Sequence, residues 1–215
     1  ESIALYNRSR ARLREAYQRH LDSPTTWTAA KVHAVLASAM RANREEHLTW
    51  MDALPWDDAS IPPSEDKVRL YVRGKTWDPP GILEMLDHLG FIIVRDETVT
   101  GFRGIEQDAD PNLDPIDALV SRHVKTIPYT GYHQDPARIV QGLIERIKAC
   151  EAQGVLFLNP KFCEAAAFDT PDQQKALEEA HVPSIIVETA ARGVSPQQVR
   201  LRLEAFREMI SADLP

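Results

Sequence analysis

Val155-Leu156-Phe157-Leu158 is apolar at every position and stops at Asn159-Pro160. Side chains alternate between the two faces of a strand, so such a run is stable only where both faces are covered. That is the situation of a buried parallel strand in an α/β sheet. Three more short strands are predicted at 68–72, 91–94 and 184–187. Helices are predicted at 79–88, 115–124, 136–152 and 171–180, and a last one at 196–210 closes the chain. Asp114-Pro115, Asp135-Pro136, Thr170-Pro171 and Ser195-Pro196 each pair a capping side chain with a proline suited to the first helical position. Gln173 and Gln198 stand where they would complete capping boxes, and Gly90 where a helix would end. The expected fold is α/β: a flavodoxin- or Rossmann-like four-stranded parallel sheet with helices on both faces. The expected strand order is 2-1-3-4, with right-handed crossovers. No G-x-G-x-x-G follows the first strand, which argues against a dinucleotide site.

A helical segment precedes this domain. Ile3, Leu5, Tyr6, Leu13, Ala16, Tyr17 and Leu21 recur near helical spacing up to Asp22-Ser23-Pro24. Arg8, Arg10, Arg12, Arg14 and Arg19 take the positions expected to face water. Further helices are predicted at 29–42 and 43–54, with Met40, Trp50 and Met51 among their apolar anchors. The domain plan is a helical linking segment at 1–54, a Pro- and Asp-rich linker at 55–66, and the α/β domain at 67–215. The chain opens on Glu1, without methionine and already inside a helical pattern. A further domain is therefore expected ahead of it. A net charge of −7 disfavours a broad nucleic-acid surface, and the basic face of the first helix reads as a solvated face. No apolar run reaches membrane-spanning length, and two cysteines make no disulfide framework, so a cytoplasmic setting is expected.

Open α/β sheets gather ligands beyond the carboxyl ends of their strands. The ends here present Gly74 and Lys75, then Asp96 and Glu97 with a turn reaching Arg103, then Asn159, Lys161 and Cys163, and finally Glu188. Each has a plain structural reading: glycine in a turn, solvated cations, a polar lip at Asp96-Glu97, and a packed thiol, the commoner fate of a free cysteine. Cys150, inside a predicted helix, favours packing more strongly. No C-x-x-C or G-x-S-x-G occurs, and the seven histidines show no ligand spacing. If Cys163 binds metal, its other ligands come from elsewhere.

The order of motifs resembles the C-terminal half of the 2-hydroxyacyl-CoA dehydratase and benzoyl-CoA reductase family. The passages are Leu5-Tyr6-Asn7-Arg8-Ser9-Arg10, Val68 to Gly74, Val94-Arg95-Asp96-Glu97 running to Thr100-Gly101-Phe102-Arg103, and Asp114 to Leu119. They continue with Gly154-Val155-Leu156-Phe157 ending in Lys161-Phe162-Cys163, then Phe168-Asp169, Val182-Pro183 to Glu188, and Arg202 to Phe206. The resemblance implies two flavodoxin-like domains with a [4Fe-4S] cluster between them, held by three cysteines. Two would belong to a missing N-terminal domain, and the third matches Cys163. One iron would stay open to water, hydroxide or substrate oxygen. The implied partners are a homologous second subunit, a separate ATP-hydrolysing iron–sulfur activator and an acyl-CoA substrate. The implied chemistry starts from one low-potential electron. It makes a ketyl radical and drives dehydration in the dehydratases, or reduces the aromatic ring in the reductases.

Gly74, Lys75, Arg103, Asn159, Lys161 and Glu188 are candidates for substrate binding or cluster tuning, with Cys163 the metal ligand. The passage 159–163 resembles the iron–sulfur subunit of benzoyl-CoA reductase, whereas 200–206 looks more like the dehydratases; the reductase is the slightly preferred expectation and the dehydratase its alternative. A flavodoxin-like binding module without a cluster is the alternative of another class.

Overall fold

The structure is a computed structural model that describes residues 1–56, 62–64, 66–77, 80–126, 135–189 and 195–212. Half of the linker predicted at 55–66, and the helix start predicted at 79, lie outside the described residues. Two compact units emerge: residues 1–63 with 99–127, and residues 64–98 with 128–215. Among the described residues no helix is long and apolar enough to cross a membrane.

The first unit contains helices α1 (Ser2–Asp22), α2 (Ala29–Ser38) and α3 (Arg44–Ala53). Thr28 caps α2 by accepting from the Lys31 amide at 3.2 Å, and Asn43 caps α3 through the Glu45 amide at 2.9 Å. Leu13, Ala16, Tyr17, Trp27, Val32, Leu36, Met51 and Ile105 form its core. Trp27 stacks on Trp56 at 5.4 Å. Met40 and Trp50, expected as anchors, are largely exposed. Met40 falls past the end of α2, which stops at Ser38 rather than Ala42.

Residues 99–127 fold with these helices, although they fall within the span read as the α/β domain. Side chains of α1 hold this stretch. Asn7 Nδ2 donates to the Ala109 carbonyl at 2.7 Å and its Oδ1 accepts from the Ala109 amide at 3.1 Å. Arg10 and Arg14 both pair with Asp108, at 2.9 and 2.7 Å. Arg10 is thus buried, not one of the wet positions its spacing suggested. The stretch includes a short 3-10 turn at Phe102–Gly104. Apart from α4 (Ile82–His88), in the second unit, the next helix is α5 (Pro115–Lys125), where Asp114 Oδ1 caps by accepting from the Ile116 amide at 2.9 Å.

The second unit is built on strands β1 (Val68–Gly74), β2 (Phe91–Asp96), β3 (Gly154–Pro160) and β4 (Ser184–Thr189), all parallel, in the order β2-β1-β3-β4. That is the order expected from sequence. The helices are α4 (Ile82–His88), α6 (Pro136–Ala149), α7 (Glu164–Glu179) and α8 (Pro196–Ala212). Leu143 and Ile147 of α6 and Leu177 of α7 bury one face of the sheet against Tyr71, Val155 and Phe157. On the other face α8 comes so close that a Cβ on Gly154 would meet Ile210 Cδ1 at 2.6 Å. Asp135 caps α6 as expected, its Oδ1 accepting from the Ala137 amide at 3.0 Å.

Thr170-Pro171 does not start a helix. Helix α7 begins seven residues earlier, with Cys163 at its N-cap, and Pro171 lies inside it. The run Glu164-Ala165-Ala166-Ala167 is strongly helix-forming. Thr170 Oγ1 donates back to the Ala166 carbonyl at 2.6 Å, within the turn its proline neighbour seemed to open.

Candidate functional site

The chain leaves β1 outward to β2, returns to β3 beside β1, and continues outward to β4. The reversal lies between β1 and β3, and the crevice beyond their carboxyl ends is where a doubly wound sheet receives ligands. Gly74-Lys75 ends one of these strands and Asn159 to Cys163 ends the other. Gly74 pairs with Leu158, and a Cβ at that position would meet Leu158 Cβ and carbonyl oxygen, both at 2.8 Å. Glycine here lets the two strand ends close together. Its part in the site is packing.

Beyond the end of β3 the backbone turns sharply. The Lys161 amide bonds the Thr189 carbonyl at 2.7 Å, and the Cys163 amide bonds the Pro160 carbonyl at 3.0 Å. Phe162 takes a positive φ of 65° and is 92% exposed. A bulky residue in the left-handed region is strained, and such strain collects at ligand sites. The turn delivers Cys163 to the first position before α7. Its sulfur makes no tight capping bond. Burial raises the thiol's tendency to keep its proton. The Ala166 amide, the Lys75 ammonium and the Ala165 amide outweigh that and hold the thiol below its ordinary range.

A cavity of about 300 Å³ opens beside the sulfur, lined by Asn159, Lys161, Cys163, Thr170, Pro171 and Glu188, among others. Asn159 Nδ2 donates to Thr170 Oγ1 at 3.0 Å, tying the strand end to α7. Lys161 lies 5.4 Å over the Phe162 ring. Pro171 has no amide to give the Ala167 carbonyl, and both residues line this cavity. The structure thus brings together Lys75, Asn159, Lys161, Cys163 and Glu188. Arg103 belongs to the other compact unit, in the 3-10 turn. Cys150 caps the end of α6, ahead of β3, while Cys163 follows β3. Burial raises the Cys150 thiol, which donates to the Ile147 carbonyl at 3.5 Å. It is a packed cysteine.

An ionic network next to this crevice is not foreseen from sequence. Glu97, read as part of a polar lip, is buried at the end of β2 and accepts from Tyr71 Oη and from Arg73. Arg146 of α6 reaches the same carboxylate at 2.9 Å and Tyr71 Oη at 3.1 Å. The available signal was Tyr71 and Arg73, two positions apart on one face of an otherwise apolar strand. With every member paired, this network fixes the carboxyl ends of β1 and β2, two residues from Lys75.

The thiol's setting suits a metal-bound thiolate, which must be deprotonated to ligate. Among the described residues no group of three or more His, Cys, Asp or Glu side chains is arranged to hold a metal ion. Cys163 thus has the chemistry of a thiolate donor without a ligand set around it among the described residues.

Comparison with known proteins shows the family of the chain. The family described as 2-hydroxyglutaryl-CoA dehydratase, D-component, matches residues 1–210. The β subunit of (R)-phenyllactyl-CoA dehydratase from Clostridium sporogenes is 25% identical over 98% of the chain and 56% of its own length. The β subunit of (R)-2-hydroxyglutaryl-CoA dehydratase from Acidaminococcus fermentans is 26% identical over 98% of the chain and 57% of its own length. A benzoyl-CoA reductase subunit from Thauera aromatica is 23% identical over 97% and 55%. The chain thus spans a little over half the length of these relatives. Matched over residues 1–210, it belongs to the 2-hydroxyglutaryl-CoA dehydratase D-component family.

Proposed function

We propose that this chain is the cluster-binding C-terminal part of a subunit of a 2-hydroxyacyl-CoA dehydratase, with Cys163 supplying one thiolate to a [4Fe-4S] cluster. The observation that carries the reading is the position of Cys163: at the topological switch point, on a helix N-terminus, beside Lys75, with its thiol favoured as the anion. The cluster's other ligands come from residues outside this chain. Bound there, such a cluster supplies one-electron chemistry to the thioester of an acyl-CoA.

The chain's own residues act around it. Lys75 and the first amides of α7 neutralise charge at the sulfur, which tunes a cluster's potential. Lys161, Asn159 and Glu188 line the adjoining cavity and offer donors and acceptors to a ligand there. Phe162 and Phe168, 92% and 80% exposed, are available to exclude water once a second body covers the crevice. Helix α5 leaves Ile116, Leu119, Val120 and Val124 exposed along one side, which supports assembly with a partner subunit. ATP enters through a separate activator, not through this chain.

The benzoyl-CoA reductase reading, slightly preferred from the sequence, becomes second because the family matched over residues 1–210 is described as a dehydratase component. The residues 159–163 lean toward it, but its relative is 23% identical against 25% and 26% for the dehydratases, a margin that does not separate them. The deciding experiment is an anaerobic assay of the full enzyme, with its partner subunit and activator. We expect dehydration of a 2-hydroxyacyl-CoA and no ring reduction of benzoyl-CoA. Ring reduction alone would replace the first reading with the second. No turnover of either, with no iron bound, would favour a binding module.

A further inference from the structure

The first unit holds a recess of about 270 Å³ that the cluster chemistry does not use. Its charged walls are Arg10 of α1, Arg44 of α3 and Arg122 of α5, and its floor is apolar, with Leu13, Leu36 and Met40 among the residues lining it. The guanidinium groups are not equally satisfied. Arg10 is paired with Asp108 and donates to Asn7. Arg44 donates to Ser9 Oγ at 3.2 Å and stacks over Tyr6 at 4.6 Å, and it meets no carboxylate among the described residues. Its Nε is buried without a hydrogen-bond partner. Arg122 is held by the carbonyls of Gly104 and Gln107, both at 2.9 Å. Burial, together with the nearby Arg10 and Arg103, disfavours its positive charge, with Asp108 opposing.

Two guanidinium groups without an ion-paired carboxylate among the described residues, with Arg10 nearby and an apolar recess between them, are stabilised by an added anion. We propose that this recess binds a small organic carboxylate with a short apolar tail, its oxygens on Arg44 and Arg122 and its tail over Leu36 and Met40. The size is below that of ordinary drug-sized pockets, about 300–1,000 Å³, which limits the occupant to a small acid. The apolar floor selects a fatty or branched carboxylate over inorganic phosphate. The sequence motifs around Tyr6-Asn7-Arg8-Ser9-Arg10 and Thr100-Gly101 thereby gain a role independent of Cys163.

The test is calorimetric titration of the full chain with hexanoate, hexanamide and inorganic phosphate. Hexanoate is expected to bind saturably, and hexanamide and phosphate at least tenfold more weakly. Arg44→Met, which removes one hydrogen bond and one stacking contact, is expected to lose at least tenfold in hexanoate affinity. Met40→Trp, at an exposed position on the recess, is expected to do the same by filling it while leaving every arginine in place. Should Arg44→Met fail to fold, Met40→Trp decides. Absence of hexanoate binding, equal binding of hexanamide or phosphate, or unchanged affinity in the folded variants would overturn the proposal. Cys163→Ser is expected to leave hexanoate binding unchanged, so this proposal and the cluster reading fail separately.

Discussion

A thiolate at a helix N-terminus is favoured by the amide dipoles that point at it, and a nearby ammonium adds to the effect. Cys163 has both, whereas Cys150 has burial working against ionisation. Because the Cys163 thiol lies below its ordinary range and the Cys150 thiol above, the thiolate fraction of Cys163 exceeds that of Cys150 at any given pH. In the metal-free chain, alkylation by iodoacetamide followed by mass spectrometry should therefore label Cys163 at lower pH than Cys150. Lys75→Met should move the Cys163 profile upward. The reverse order of labelling would show that the local field has been misassigned. Glu97 gives a second prediction at this scale. Removing its charge takes from buried Arg73 and from Arg146 the carboxylate they share. Breaking a buried pair from one side costs about 3–5 kcal/mol. Glu97→Gln should lower the denaturant midpoint accordingly, and a loss under about 1 kcal/mol would mean that water already screens the network.

Strand and helix placement followed closely from the sequence because continuous apolar runs have one stable use in a chain of this kind. Phe91 to Val94 and Val155 to Leu158 are buried throughout. The Asp-Pro pairs at 114 and 135 were equally legible, since a capping carboxylate and a proline act within one turn. Thr170-Pro171 carried the same local signal and misled, because the alanine-rich run before it nucleates α7 first and the proline is tolerated inside. Arg10 misled for another reason. Its partner, Asp108, is 98 residues away, and no local pattern reports such a contact. The close approach of β1 and β3 yields a test at the scale of elements. Gly74→Ala places a methyl group against Leu158 backbone and Cβ, neither of which can swing aside, and should cost about 1–3 kcal/mol. Gly154→Ala meets only side-chain ends, Ile210 Cδ1 at 2.6 Å and the Phe206 ring at 3.0 Å, which can shift where backbone cannot, and should cost less. Thermal unfolding of the two variants checks the order.

At the scale of the whole molecule, the crevice was legible from topology, since order β2-β1-β3-β4 fixes the switch point and Cys163 follows β3. The contribution of Lys75 was named but not its contact, which depends on how far β1 and β3 run past each other. The chain spans 55–57% of its relatives' length, and its described residues offer one suitable thiolate. Expressed alone, it should bind no stoichiometric iron or sulfide after anaerobic reconstitution. The central claim is that Cys163 is a cluster ligand. The direct measurement is iron and sulfide content, with absorbance near 400 nm, of the anaerobically purified full-length protein carrying Cys163→Ser, beside Cys150→Ser and the parent. Serine oxygen is a harder and poorer ligand for such iron. The account predicts that Cys163→Ser keeps its fold by circular dichroism and loses most of its iron, while Cys150→Ser matches the parent. Parent-level iron in Cys163→Ser would contradict it and return this thiol to the role of a packing residue.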